Sequence, residues 1–285
     1  MPNLLIDNPT VQNVISIAET YISKHNISSA KLNCELLLCE ILKISRLDLR
    51  INANQTLTVS QFQQFENYIE RRASNEPLQY IIGFVDFYNI RLKINKSALI
   101  PRPETEYLIA FIANSQIKPN KILDICSGSG CISLSLAKLF GDAVVDAIDI
   151  SLESIELATE NQKNLGLENV NFIHCDIQKY FENKKLEKYD LIVCNPPYVT
   201  SEDYNKLEPE LFFEPSIALT DGADGLTFYK LISSNIHKIL ARNGKLYFEC
   251  GINQAEKICK IYENIGFQTQ IIQDFAKINR FVCIY

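Results

Sequence analysis

Between about residue 9 and residue 75, apolar side chains recur at helical spacing. Val14, Ile17, Ala18, Tyr21 and Ile22 share one face, Leu32, Leu36 and Cys39 a second, and Phe62, Phe65 and Ile69 a third. This spacing predicts a small bundle of helices joined by short connections. Asn8 before Pro9 reads as an N-cap with proline at the first helical position, and Thr58 followed by Gln61 fits a capping box. After Pro77 the pattern changes: Phe87, Ile90, Leu92 and Ile94 alternate in part around Asn89, which predicts a hairpin. From Lys121 onward, short apolar runs alternate with helical stretches, the pattern of a parallel sheet covered on both faces. Strands are expected at 122–125, 144–148, 170–173, 191–194 and 246–250, and the tail segments 267–272 and 281–285 are expected to add an antiparallel edge pair.

The expected organisation is a helical domain over 1–80, a connecting hairpin over 81–100 and an α/β domain over 101–285. The helical part reads equally as a packing or regulatory module and as a recognition domain for a macromolecular partner. A chain of 285 residues with 47% hydrophobic content has enough apolar surface for real cores. Its net charge of -6 and pI of about 5.3 argue against a broad basic face for tracking phosphate backbones. The nine cysteines form no Cys-x-x-Cys pair, and several lie in apolar runs, so they read as reduced thiols of a cytoplasmic protein. His25, His174 and His237 have no partner at metal-ligand spacing, and no metal is expected. With no basic leader and no apolar run of membrane-spanning length, the protein is expected to be soluble.

The chemistry concentrates where apolar runs stop. Asn195-Pro196-Pro197-Tyr198 follows the run Leu191-Ile192-Val193-Cys194. Proline cannot donate to a ladder and restricts the preceding residue to extended conformations, so the Asn195 amide leaves the strand in a narrow range of directions. A planar nitrogen-bearing group between that amide and the Tyr198 ring would give its hydrogens to the Asn195 oxygen and the Pro196 carbonyl, leaving a lone pair free for alkylation. The bland reading of the same residues is a stiff turn. Asp124-Ile125-Cys126-Ser127-Gly128-Ser129-Gly130 sits between a strand and a helix expected near Cys131. It lacks the Gly-x-Gly-x-x-Gly arrangement that cradles a pyrophosphate, which points to a phosphate-free ligand. Asp149 follows the second strand of the sheet, where a carboxylate can accept from both ribose hydroxyls, and Asp176 follows the third, near where a base would lie. Each aspartate alone reads first as a helix cap or turn residue. Their placement at successive strand ends outlines a nucleoside pocket.

This order of elements resembles the class I S-adenosylmethionine-dependent methyltransferases, with a Rossmann-like, mostly parallel seven-stranded sheet. The likeness narrows with Ile100-Pro101-Arg102-Pro103-Glu104-Thr105-Glu106, the Gly-Ser-Gly-Cys-Ile from Gly128, Asn195 to Tyr198, Glu214-Pro215-Ser216-Ile217-Ala218-Leu219 and Asp221-Gly222-Ala223-Asp224-Gly225-Leu226. With the helical N-terminal part, these make the chain similar to the HemK/PrmC family over nearly its whole length. The resemblance implies methyl transfer to the glutamine of a Gly-Gly-Gln loop in class-1 peptide chain release factors, with S-adenosylhomocysteine as the other product. It assigns Asn195, Pro196 and Tyr198 to catalysis, and these with Pro197 to glutamine binding. The cofactor would be held by Asp124, Cys126, Ser127, Gly128, Ser129, Gly130, Asp149, Asp176, Ile177 and Asn195. A monomer without stable nucleic-acid or membrane partners is implied, and Glu104 and Glu106 are candidate bases. Rival acceptors are a glutamine of a ribosomal protein and adenine in nucleic acid. The chain departs from the family pattern at Cys126, which replaces the first loop glycine, a mild change if its backbone is ordinary. It departs again in the tail Asp274-Phe275-Ala276-Lys277-Ile278-Asn279-Arg280, where a glycine between the aspartate and the arginine is absent.

Overall fold

The computed structural model describes residues 9–285, which divide into two compact units. One runs up to Gly83 and takes in Pro209–Phe213; the other comprises Phe84–Glu208 and Glu214–Tyr285. The first unit contains the helices Val11–Ser23, Ala30–Leu42, Arg46–Ile51, Val59–Ala73 and Leu78–Ile82. Val14, Ala18, Ile22, Leu37, Leu38, Phe65 and Ile69 form its core. Thr58 and Gln61 make the expected reciprocal capping box. Asn8 lies outside the described residues. The first helix is instead capped by Thr10, whose Oγ1 accepts from the Asn13 N–H, so Pro9 precedes the helix rather than opening it.

The face expected for the second helix is also corrected. Ala30–Leu42 buries Cys34, Leu37 and Leu38 while Leu32 is exposed and Leu36 and Cys39 are half-buried. Apolar residues occur nearly all round this helix, so spacing alone cannot choose a face. Long-range polar pairs add to the choice: Asn33 Oδ1 accepts from Arg72 Nε at 2.8 Å, and Glu35 Oε2 from Arg46 Nε at 2.9 Å. Arg72 is itself buried, and also donates to the Glu76 carbonyl at 3.0 Å and to Glu210 at 2.7 Å. That last bond gives Pro209–Phe213 its place in the helical unit.

The second unit opens with the antiparallel hairpin β1 (Phe84–Phe87) and β2 (Ile90–Lys93). Its seven-stranded sheet contains β3 (Lys121–Ile125), β4 (Val144–Asp149), β5 (Val170–His174), β6 (Tyr189–Cys194), β7 (Leu240–Glu249), β8 (Thr269–Gln273) and β9 (Asn279–Ile284). The order is β5-β4-β3-β6-β7-β9-β8, parallel except where β9 runs against β7 and β8. This is the expected class I methyltransferase architecture. The tail pair forms as expected, with β8 at the edge and β9 inside it. β7 starts at Leu240, before the polar Arg242-Asn243-Gly244, and a register shift opposite Tyr189 and Leu191 absorbs these residues.

Alternate residues of the central strands enter different cores. Leu123, Ile125, Ile192, Cys194 and Phe248 face one, and Ile122, Val145, Leu191, Val193 and Tyr247 the other, which explains the near-continuous apolar runs. The chain winds from β3 toward β5 on one side and from β6 toward β7 on the other. A crevice therefore opens at the carboxyl ends of β3 and β6, where such sheets bind ligands. Among the described residues, no helix is long and apolar enough to cross a membrane.

Candidate active site

Strand register sets the site. Ile125 pairs with both Ile148 and Cys194, Asp149 with His174, and Cys194 with Phe248. The residues that follow these pairs therefore emerge at one edge, around a cavity of about 270 Å³. Cys126, Ser127, Gly128, Ser129, Asp149, Asp176, Ile177, Asn195 and Pro197 line it, as the sequence suggested. Asp124, Gly130, Pro196 and Tyr198 do not.

Asp124 lies wholly buried beneath the loop, and its Oδ2 accepts from the Ser133 N–H at 3.0 Å. It thereby ties the strand to the first turn of the helix Cys131–Leu139. Burial pushes its carboxyl up to about 7, against the pull of Ser133. Gly130 turns into that helix at φ +81°, and a Cβ there would lie 2.9 Å from Phe172 Cζ; only glycine fits both the turn and the packing.

Asp149 is half-buried. Its Oδ2 accepts from the Gly128 N–H at 2.8 Å and its Oδ1 from the Ser151 N–H at 2.9 Å. Burial raises its carboxyl, and the backbone donors Ser151 and Gly128 pull against that rise. Asp176 caps the helix Ile177–Glu182, accepting from the Gln178 N–H at 2.7 Å. Both aspartates thus make local turn bonds and also line the cavity.

At Cys126 the condition for a mild change is not met. Its φ is +64°, in the left-handed region that favours glycine, rather than an ordinary conformation. The left-handed penalty of about 1–2 kcal/mol exceeds the entropy of about 0.5–1 kcal/mol that an added glycine gives the unfolded chain. Cys126→Gly is therefore expected to raise the unfolding free energy by about 0.5–1 kcal/mol, measured by urea denaturation. An unchanged or lower value would show that contacts of the thiol outweigh the backbone term.

Several residues that shape the site were given no role from the sequence, Glu214, Asp221 and Gly225 appearing there only within the segments that carry the family likeness. Asn161 is buried and bonds the backbone of Lys93 in both directions, at 2.7 and 3.0 Å, and donates to the Ser129 carbonyl at 3.1 Å, joining β2 to the loop. Ser154 donates to the Ser97 carbonyl at 2.7 Å. Glu214 accepts from the Ile100 N–H at 2.9 Å and pairs with Arg102, so the two proline-bearing segments around the cavity are clamped together. Asp221 gathers the N–H groups of Ala223, Gly225 and Thr227, which shapes the turn carrying Gly225. Gly225, at φ +74°, approaches so closely that a Cβ would lie 2.4 Å from the Tyr198 carbonyl oxygen. Gln254 donates to that same carbonyl at 2.9 Å. Glu104 and Glu106 do not line the cavity.

The donor set fits S-adenosylmethionine. Ser127 Oγ, Ser129 Oγ and Asp124 Oδ1 are buried without a hydrogen-bond partner, a cluster of unused acceptors around the loop where an ammonium-bearing amino-acid end would bind. Each Asp149 oxygen keeps a second lone pair for a ribose hydroxyl.

Comparisons with known proteins agree with this architecture. Residues 13–83 match the PrmC N-terminal domain and residues 118–280 a methyltransferase domain. A solved methyltransferase from Pyrococcus furiosus shares the fold, with a TM-score of 0.50 at 14% identity over 77% of this chain and 98% of that one. A release factor glutamine methyltransferase of Thermodesulfovibrio yellowstonii is 38% identical over 86% of this chain and 88% of its own length. Another, of Fusobacterium nucleatum, is 36% identical over 92% and 75%. By these similarities over nearly its whole length, the chain belongs to the release factor glutamine methyltransferase family.

Proposed function

We propose that this protein methylates the side-chain amide nitrogen of the glutamine in the Gly-Gly-Gln loop of class-1 peptide chain release factors, and so supports translation termination. The observation that carries this reading is Asn195-Pro196-Pro197-Tyr198 at the end of β6, with Asn195 and Pro197 facing the cavity that Asp149 and residues Cys126 to Ser129 also border. S-adenosylmethionine, when bound, supplies an electrophilic sulfonium methyl. The protein acts in the cytoplasm as a monomer, with no stable nucleic-acid partner.

A primary amide is a poor nucleophile because its lone pair is delocalised into the carbonyl. The enzyme must therefore align it and draw on its hydrogens. The Asn195 side-chain oxygen and the Pro196 carbonyl each accept one N–H of the target, directing the lone pair toward the methyl. Among the described residues, the Asn195 side chain has no other hydrogen-bond partner, so its oxygen is available. Pro197 and the Tyr198 ring confine the amide plane. Burial pushes the Tyr198 phenol upward, so it stays protonated and neutral beside the acceptor. The excess proton leaves the alkylated amide readily, and no strong base is required of the site.

The test is to incubate the protein with labelled S-adenosylmethionine and, separately, a release factor, its Gly-Gly-Gln-to-Ala variant, a ribosomal protein preparation, and DNA. Mass spectrometry then locates the label. Label on the loop glutamine, absent from the alanine variant, is expected. Label on ribosomal protein or DNA alone would overturn the reading.

A further inference from the structure

Glu249 ends β7 one residue beyond Phe248, the partner of Cys194, so it emerges beside Asn195 at the same edge of the sheet. It is 2% exposed and does not line the cavity, yet it is a carboxylate in the core of a catalytic domain. Such a group costs several kcal/mol to bury unless its oxygens are engaged, on the order of what a whole hydrogen-bond network returns. Both oxygens are engaged. Oε2 accepts from Thr105 Oγ1 at 2.6 Å, and Oε1 faces the Tyr198 hydroxyl at 3.4 Å.

The surroundings of this carboxylate come from three separate segments. Thr105 belongs to the proline-bearing segment before β3 and is buried. Arg280, on β9, faces it with a positive charge, and is itself held by Asp274 at 3.6 Å and by the Cys250 carbonyl at 3.3 Å. Glu104, a like charge near it, acts in the opposite sense. Burial raises the Glu249 carboxyl, while Thr105, Arg280 and Tyr198 pull it back down. Gly251, two residues on, leaves room for the Tyr198 ring: a Cβ there would lie 3.2 Å from Tyr198 Cδ2. Gln254 fixes the Tyr198 carbonyl and also accepts from the Gly251 N–H at 2.9 Å. The backbone of Tyr198 is thus held from one side and its phenol from the other.

We propose that Glu249 is a positioning residue for methyl transfer: anchored by Thr105, its carboxylate holds the Tyr198 hydroxyl and so fixes the ring that confines the target amide. This rests on the glutamine reading above, because the amide plane is what the ring confines. Glu249 reaches the acceptor only through Tyr198, which makes its role orientation rather than proton abstraction. At 3.4 Å the contact is long, as hydrogen bonds at catalytic sites often are before the target is bound. The proposal also gives a purpose to Thr105, which lines the cavity, and to Arg280, which does not.

The test compares Glu249→Gln, Thr105→Val, Tyr198→Phe and the double variant Glu249→Gln/Tyr198→Phe. Glu249→Gln is expected to lower kcat by about 10- to 100-fold, the worth of one hydrogen bond to a charged group, with S-adenosylmethionine affinity within about twofold by calorimetry. Thr105→Val lowers kcat in the same sense with Glu249 intact. The double variant is no slower than the slower single, since both remove one contact. Full kcat in Glu249→Gln, or losses that multiply in the double variant, would overturn the proposal. A second readout does not depend on the acceptor. In protein carrying ¹³C-tyrosine, the Tyr198 ring resonance, assigned by its loss in Tyr198→Phe, should shift and broaden in Glu249→Gln; an unchanged ring resonance counts against positioning. If wild-type protein leaves release factor unlabelled, the glutamine reading fails while the ring measurement still decides whether Glu249 holds Tyr198.

Discussion

Asn195→Ala is expected to lower kcat by at least about 10³-fold, with S-adenosylmethionine affinity changed by less than about tenfold. The asymmetry follows from where the side chain sits. β6 is buried on both faces up to Cys194, and the next residue precedes a proline, so the Asn195 amide has few orientations available. In the proposed mechanism its oxygen accepts one amide N–H of the target and, with the Pro196 carbonyl, sets the direction of the lone pair. Alanine would remove that acceptor and the alignment together, whereas the proposed cofactor contacts reside mostly in the 126–130 turn and Asp149. Single-turnover rates on the release factor, paired with calorimetry on the cofactor, separate the two quantities. Near-normal turnover in the variant would remove Asn195 from the role assigned to it. Asn195→Asp tests the same point more finely: it keeps an oxygen but adds a charge, and the rate should remain far below that of the native protein.

The parts of this molecule that were legible in the sequence are those set by neighbours close along the chain. Apolar runs in the central strands, the Thr58–Gln61 box, the hairpin around Asn89 and the glycine turn before Cys131 each reflect local periodicity or a fixed dihedral demand. What was not legible depends on partners brought together by the sheet order. Glu249 meets Thr105 across 144 positions, Arg102 meets Glu214 across 112, and Arg72 meets Glu210 across 138. No spacing rule connects such residues. The helix Ala30–Leu42 was misread for a related reason: with apolar residues nearly all round, its buried face is selected by tertiary contacts rather than by period. The cost of Cys126 stayed conditional in the sequence because a side chain type does not announce its φ. The loop needs a left-handed residue directly after β3, and here a cysteine adopts that conformation under strain.

Asp149→Ala is expected to show the opposite signature to Asn195→Ala. Its carboxylate accepts the N–H groups of Gly128 and Ser151, fixing the loop and the turn after β4, and in the proposed cofactor site its remaining lone pairs would take two ribose hydroxyls. A hydrogen bond to a charged group is worth about 1.5–3 kcal/mol, so losing even one raises the dissociation constant by roughly 10- to 150-fold, and losing both with the loop order raises it at least about 100-fold. At saturating cofactor, kcat should largely recover, because the groups that align the acceptor are untouched. Asp149→Asn should fall between native and alanine. It retains one acceptor oxygen, but its amide group turns donors toward a backbone N–H that needs an acceptor. The pH dependence has a definite sign. Only the ionised carboxylate accepts at both oxygens, and burial raises its proton affinity, so cofactor affinity should fall on acidification beginning at a higher pH than for an exposed aspartate, and that fall should vanish in Asp149→Ala. Unaltered affinity in the alanine variant would move the ribose away from this strand end. A variant that weakens binding yet turns over normally when saturated, set beside one that binds yet does not turn over, separates the residue that holds the donor from the residue that aims the acceptor.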